Sequence, residues 1–329
     1  MVYLANGSTP ESLIALHAML SFHGQCAFVV YGGDFSALLS RYLANPFVKP
    51  PWSSIPLVFR DLAEARARFE TTRVAGIIVQ ASNSSDLRWR HDVCAALDLL
   101  EGMQPVYLDM ADEAGRCDGL SSGSCRYLKG AIHRAFPLGG TVEPSPYLDW
   151  GLSATGPAPA EQALPRPIDV CFLGSQTTHA SRKAIVRLLE DWSGKHATRV
   201  RVALYVSEPG DLDRPGQAKY VEILRQSKIC IDLWGHAAQT RRLYEGLMAG
   251  CLVLSQSPRW LPNAWTPIAN EHFSTFGSGI ELARQLEFFL EHEGARSQIA
   301  SNGNSWVNRT FAAPSIGAWL YRQATGCAQ

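Results

Sequence analysis

The chain has 329 residues, 46% hydrophobic and 18% charged, a globular balance that excludes disorder driven by low hydrophobicity and high charge. That length exceeds what one hydrophobic core usually serves, so two domains of about 150 residues each are expected. Lys plus Arg and Asp plus Glu number 30 each and the formal net charge is zero, which disfavours a coat for duplex nucleic acid, because neutralising phosphates calls for a basic excess.

The eight cysteines (Cys26, Cys94, Cys117, Cys125, Cys171, Cys230, Cys251 and Cys327) include no C-x-x-C pair, so no zinc site is expected. Cys171, Cys230 and Cys251 lie in apolar runs and read as reduced core thiols. Met1 leads into an apolar stretch without a basic n-region, and no run approaches the roughly 18 to 20 apolar residues of a membrane span; a cytoplasmic protein is expected.

In chain order, the first half alternates short apolar runs with helical spacing, the rhythm of βαβ units on a parallel sheet. Strands are predicted at Val2–Ala5, Ala27–Tyr31, Val74–Gln80 and Pro105–Leu108, and helices at Glu11–Phe22, Phe35–Leu43 and Leu87–Leu100. From Leu138 to Pro167 the composition turns to Pro, Gly, Ala and Ser, with Pro144, Pro146, Pro157, Pro159, Pro165 and Pro167 opposing helix and central strand. The expected division is therefore a first domain over 1–150, a linker over 151–167 and a second domain over 168–329.

The second half repeats the rhythm. Strand Ile168–Leu173 is followed by a turn at Gly174-Ser175 and helix Ser181–Trp192. Strand Val200–Tyr205, helix Ala218–Ser227, strand Ile229–Leu233, helix Thr240–Ala249 and strand Cys251–Ser255 come next. Helical patterns at Ile280–His292, Ala295–Val307 and Ile316–Arg322 close the chain. The fold class is α/β, with two Rossmann-like domains.

Open parallel sheets bind ligands beyond the carboxyl ends of their strands. After Leu173 the small-residue turn through Gly174, Ser175 and His179 opens a helix, where backbone N–H groups can hold a phosphate and Arg182 can add charge-assisted bonds. After Leu233 come Trp234, Gly235 and His236, then Arg241, Arg242 and Glu245 on the next helix. The spacing of three puts Arg242 and Glu245 on one helix face, where an arginine can pair with a pyrophosphate and a carboxylate can accept ribose hydroxyls. An intrahelical surface pair is the alternative reading of that spacing.

The run Tyr220–Leu254 resembles the donor-binding segment of exostosin-like glycosyltransferases and the related spore-maturation-type group: Tyr220 on a helix, Ser227-Lys228-Ile229 opening a strand, Gly235, then Arg242, Glu245 and Gly250 in an R-x-x-E-x-x-x-x-G pattern before Cys251–Leu254. The resemblance implies a GT-B fold, two Rossmann-like domains across a cleft, and sugar transfer from a nucleotide-sugar donor to an acceptor hydroxyl. Its donor-binding residues would be Gly174, Ser175, His179, Arg182, Tyr205, Trp234, Gly235, His236, Arg241, Arg242 and Glu245. No cofactor is implied beyond the donor itself, with a UDP-sugar as first expectation, and no metal.

Many retaining GT-B enzymes pair two glutamates eight positions apart; here Ala237 stands eight before Glu245, which favours inversion. The general base is then sought in the first domain at Asp109, Asp112 or Glu113, after a predicted strand, with Asp34 as second choice. The acceptor is a saccharide, a lipid-linked sugar or a protein. A DNA-base acceptor, served by Arg60, Arg66, Arg68, Arg73, Arg88 and Arg90, is an alternative that the neutral charge disfavours; a catalytically degenerate sugar- or partner-binding domain is another. An NAD-dependent oxidoreductase lacks its G-x-G-x-x-G turn.

Overall fold

The computed structural model describes residues 2–6, 27–31, 58–59, 76–81, 106–109, 126–130, 134, 142–146, 165–198, 200–207 and 217–326. The helices expected at Glu11–Phe22, Phe35–Leu43 and Leu87–Leu100, the six arginines of the DNA-base reading, Asp34, Asp112 and Glu113 lie outside the described residues, as do Cys26, Cys94, Cys117, Cys125 and Cys327. The chain divides into two compact units: Met1–Ala154 with Asn263–Trp265 and Thr310–Gln329, and Thr155–Pro262 with Thr266–Arg309.

The first unit holds strands β1 (Val2–Asn6), β2 (Ala27–Tyr31), β3 (Val58–Phe59), β4 (Ile77–Ala81), β5 (Val106–Asp109), β6 (Arg126–Lys129) and β7 (Val142–Pro144). They form one sheet in the order β3-β2-β1-β4-β5-β6-β7, every neighbouring pair parallel. Ile78, Val106, Leu108 and Leu128 are buried, as the short apolar runs of a covered parallel sheet demand. Pro144 is tolerated in β7 because β7 is an edge strand that needs no ladder bond on its outer side. Between β6 and β7, Arg126 grips Glu143 through Nε at 2.7 Å and Nη2 at 2.5 Å.

The second unit holds β8 (Ile168–Ser175), β9 (Val202–Ser207), β10 (Ser227–Asp232), β11 (Leu252–Gln256) and β12 (Ser274–Phe276), in the order β12-β11-β10-β8-β9 and again all parallel. The helices described are α1 (Ala180–His196), α2 (Gln217–Arg225), α3 (Arg241–Met248), α4 (Gly279–Glu291), α5 (Glu293–Thr310) and α6 (Ala313–Thr325). Strands covered on both faces read as unbroken apolar runs. Val170, Phe172, Ile229, Ile231, Leu252 and Leu254 cluster with Ile185, Val186, Leu189 and Trp192 of α1 and with Leu282, Leu286 and Phe289 of α4. The intervening residues Cys230 and Val253 meet α3, which approaches closely because Gly246 has no side chain: a Cβ there would lie 2.8 Å from Val253 Cγ2 and 3.4 Å from Cys230 Cβ.

The structure differs from the sequence expectation at several points, β3, β6, β7 and β12 being strands beyond those expected. Gly174 and Ser175 finish β8 rather than forming a turn after it, so the loop starts at Gln176. The final helix α6, expected with the second domain, falls in the first unit. There it packs on β4, and a Cβ at Gly76, the residue before that strand, would lie 2.5 Å from Ala324 O. The first unit also takes Trp265, whose ring stands edge-on to Trp319 at 5.2 Å between centroids.

Candidate functional site

In the second sheet, β8 runs to β9 on one side and to β10 on the other. The strand order reverses there, and the carboxyl ends of strands at such a reversal are the place where doubly wound sheets take ligands. The residues at those ends are Gly174 and Ser175 on β8, Asp232 to Gly235 at the end of β10, and Ser255 to Ser257 at the end of β11.

Arg182, on the first turn of α1 and 5% exposed, ties two of these ends together. Its Nε donates to Trp234 O at 2.5 Å and its Nη2 to Leu233 O at 2.9 Å, while Nη1 donates to Ser175 O and Thr178 Oγ1, both at 2.8 Å. Burial, then the nearby Arg242 charge, brings its pKa down to about 10. All three guanidinium nitrogens are thus engaged by the protein. Arg182 shapes the loops, where sequence reasoning expected it to reach a phosphate directly.

Helix α3 is placed with equal definition. Thr240 caps it, accepting from Leu243 N at 3.3 Å and donating its hydroxyl to Asp232 Oδ1. At its other end Asn304 Nδ2 donates to Leu247 O and Met248 O at 2.8 and 2.9 Å, and Arg166 Nη2 donates to Ala249 O at 2.7 Å. These bonds satisfy carbonyls that the helix leaves open, and a cation there suits the dipole.

From α3, Arg242 reaches under β8. Its Nε donates to Leu173 O at 2.6 Å, its guanidinium lies 4.8 Å from the centroid of the Phe172 ring, and its Nη1 stands 4.0 Å from Asp232 Oδ1. Nη1 is buried and makes no hydrogen bond. Asp232 also accepts from Ser255 Oγ at 2.7 Å. Burial raises the Asp232 pKa, and Arg242, Thr240 and Ser255 oppose that rise. Glu245, also from α3, is 4% exposed, and its Oε2 accepts from Tyr220 Oη at 2.5 Å. Burial and then the Glu245 charge push the Tyr220 phenol well above its ordinary pKa, so it serves as a donor. Arg242 and Glu245 are therefore not a surface pair: each is turned to a different neighbouring element.

His179 is the N-cap of α1, its Nδ1 accepting from Ser181 N at 3.2 Å, so the neutral ring carries its proton on Nε2. Burial lowers its pKa, with Arg259, Arg182 and His236 adding to the effect. Its ring meets Trp234 edge-on at 5.3 Å. Trp234 is fixed by its indole Nε1, which donates to Ser257 O at 2.8 Å, and by its backbone N, which donates to Gln256 Oε1 at 3.3 Å. On the Trp234 ring, at 5.1 Å, lies the guanidinium of Arg259.

The remaining expected residues take these places. Gly235 lies beside Arg182, His236 and Arg241 are exposed, and Tyr205 is 40% exposed near the end of β9, in register with Leu173. Asp109, in the first unit, ends β5 between Ala81 and Lys129. Sequence reasoning missed Asp232 and Arg259. Asp232 carried a signal: an acid closing an apolar strand, followed by Thr240 and Arg242. Arg259 carried none, since Ser257-Pro258-Arg259-Trp260 has no periodicity.

Residues 182–320, less than half of the chain, match the family described as Glycosyl transferase-like. The chain is similar in structure to a glycosyltransferase from Rickettsia africae (TM-score 0.57, 9% identity, 98% of each chain covered). It is likewise similar to Anabaena HepE in complex with UDP (TM-score 0.56, 9% identity, 97% of this chain and 98% of that one). Sucrose-phosphate synthase from Thermosynechococcus elongatus gives a TM-score of 0.55 at 11% identity, with 98% of each chain covered. The fold is GT-B and the enzyme class is glycosyltransferase. HepE has also been solved with UDP-glucose. No curated protein matches this glycosyltransferase in sequence. Among its described residues no helix is long and apolar enough to cross a membrane.

Proposed function

We propose that this glycosyltransferase takes its sugar from a nucleoside-diphosphate sugar bound at the carboxyl ends of β8, β10 and β11, with a UDP-sugar as first candidate, and passes it to an acceptor hydroxyl with inversion and without a metal ion. The observation that carries the reading is electrostatic. Arg182, Arg242 and Arg259 gather at the switch point of the sheet, and the carboxylate that acts on Arg182 among them is Asp232. A site with that excess of positive charge, held in place before any ligand arrives, suits the charge that develops on a leaving diphosphate. Guanidinium groups then do the neutralising that a divalent cation does elsewhere.

In the proposed reaction the acceptor oxygen attacks the anomeric carbon from the face opposite the diphosphate. The bond from that carbon to the diphosphate oxygen breaks, its electron pair leaves with the nucleoside diphosphate, and the acceptor proton passes to a carboxylate of the first unit. Asp109 is the candidate base within the described residues, and Asp112 and Glu113 follow it in sequence. Inversion is favoured because Ala237, a buried alanine, stands where a retaining enzyme's second glutamate is sought. A saccharide, lipid-linked sugar or protein acceptor fits the neutral charge of the chain better than DNA does.

The test is turnover with UDP-, GDP- and dTDP-hexoses, read as release of the nucleoside diphosphate and as the anomeric configuration of the product. Slow release from one donor, faster with added acceptor and unaffected by EDTA, is expected. No release and no binding with any of the three would sink the reading.

A further inference from the structure

Arg259 belongs to no helix or strand, yet its surroundings hold it firmly. Ser257 is tied to β12 through N at 2.9 Å and Oγ at 3.2 Å, both to Phe276 O. Trp260 is 4% exposed and packs on Phe273. Between these anchors the Arg259 side chain lies over Trp234, and its Nη2 donates to Gly235 O at 2.7 Å and to Ala237 O at 3.1 Å. Nη2 has then spent both its hydrogens. Nε is buried and has no partner.

A buried guanidinium donor without an acceptor is costly, and so is a cation set beside others of its sign. Arg259 acts electrostatically on both His179 and Arg182, each of which it makes harder to protonate. Arg182 spends its nitrogens on the loops and Arg242 lies beneath β8. Of the three cations, Arg259 comes from the segment after β11 and lies on the face of Trp234, two residues past the end of β10.

We propose that Arg259 is a third cation of the diphosphate site, which binds the donor's phosphates while its Nη2 holds the Gly235–Ala237 backbone in place. This rests on the nucleotide-sugar reading given above. The phosphate oxygens supply the negative charge that the cluster of Arg182, Arg242 and Arg259 lacks. The Trp234 ring keeps the guanidinium plane fixed, so little side-chain entropy is lost on binding.

Isothermal titration of the full chain with UDP, UMP and inorganic pyrophosphate tests it, in wild type, Arg259→Lys, Arg259→Gln and Trp234→Phe. Arg259→Gln is expected to weaken UDP and pyrophosphate roughly ten- to hundredfold, and UMP by no more than about threefold, the size of a lost charged hydrogen bond. Arg259→Lys should fall between and keep the salt dependence of UDP binding. Trp234→Phe, which disturbs the loop but leaves the charge, should weaken UDP and UMP equally. Equal loss of UDP and UMP in Arg259→Gln would make Arg259 a scaffold for the loop and overturn the proposal, as would unchanged UDP affinity. Absence of UDP and pyrophosphate binding in wild type overturns the nucleotide-sugar reading as well, which separates the two failures.

Discussion

The guanidinium of Arg242 fills the space in which a side chain at residue 174 would begin: a Cβ on Gly174 would lie 2.0 Å from Arg242 Nη2. Gly174→Ala therefore displaces Arg242 from Leu173 O and from the Phe172 ring. We expect a loss of about 1–3 kcal/mol in unfolding free energy, from one charge-assisted hydrogen bond and the contacts with it. Nucleotide affinity should drop in parallel. Denaturant unfolding and a UDP titration of the variant measure both.

Arg242 and Asp232 are buried together, so removing one exposes the cost of the other. Arg242→Met should destabilise the protein by about 2–4 kcal/mol, because Asp232 loses the cation that opposes its burial. Adding Asp232→Asn should recover part of that loss. A double-mutant cycle that comes out additive would contradict the coupling.

Arg182→Lys keeps the charge and cannot reproduce four hydrogen bonds to Ser175, Thr178, Leu233 and Trp234. Amide exchange of the segments after β8 and β10 should speed up together in this variant, with a stability loss of about 2–4 kcal/mol. Faster exchange in only one segment would mean that Arg182 does not couple them.

His179 gives a pH dependence whose sign follows from its depressed pKa. The unfolded chain binds the proton first, so the stability from the neutral N-cap is present above the ordinary histidine pKa near 6.5 and is lost as pH falls through the folded value. His179→Asn keeps a capping acceptor and removes the titration. The fall in Tm between pH 7 and pH 5 should be shallower in the variant. His272, buried with its pKa also lowered by burial, contributes the same sign and remains in both proteins.

How far the sequence foretold this structure differs by element. Ile168, Ile229 and Leu252 each begin or sit in an apolar run that only a doubly covered strand explains, and β8, β10 and β11 lie where those runs are, within a few residues. Helix α3 was legible from its spacing, but the burial of Glu245 and its bond to Tyr220 were not, because periodicity ranks faces and does not say what stands opposite. Strand β12, with three residues, is too short for any pattern. The place of α6 in the first unit was equally hidden: its apolar face needs a partner, and Ala324 against Gly76 is a contact that only the folded chain brings about. The neighbours of Arg259, Trp234, Gly235 and Ala237, are none of them near it in sequence, so no local pattern marks it.

The central claim, that a nucleoside diphosphate occupies the carboxyl ends of β8, β10 and β11, is tested most directly by hydrogen–deuterium exchange with and without saturating UDP, GDP or dTDP. One nucleotide should bind and slow exchange in the segments around Ser175 to Arg182, Asp232 to Arg242 and Gln256 to Trp260. Protection confined to other segments, or no change with all three, would contradict it.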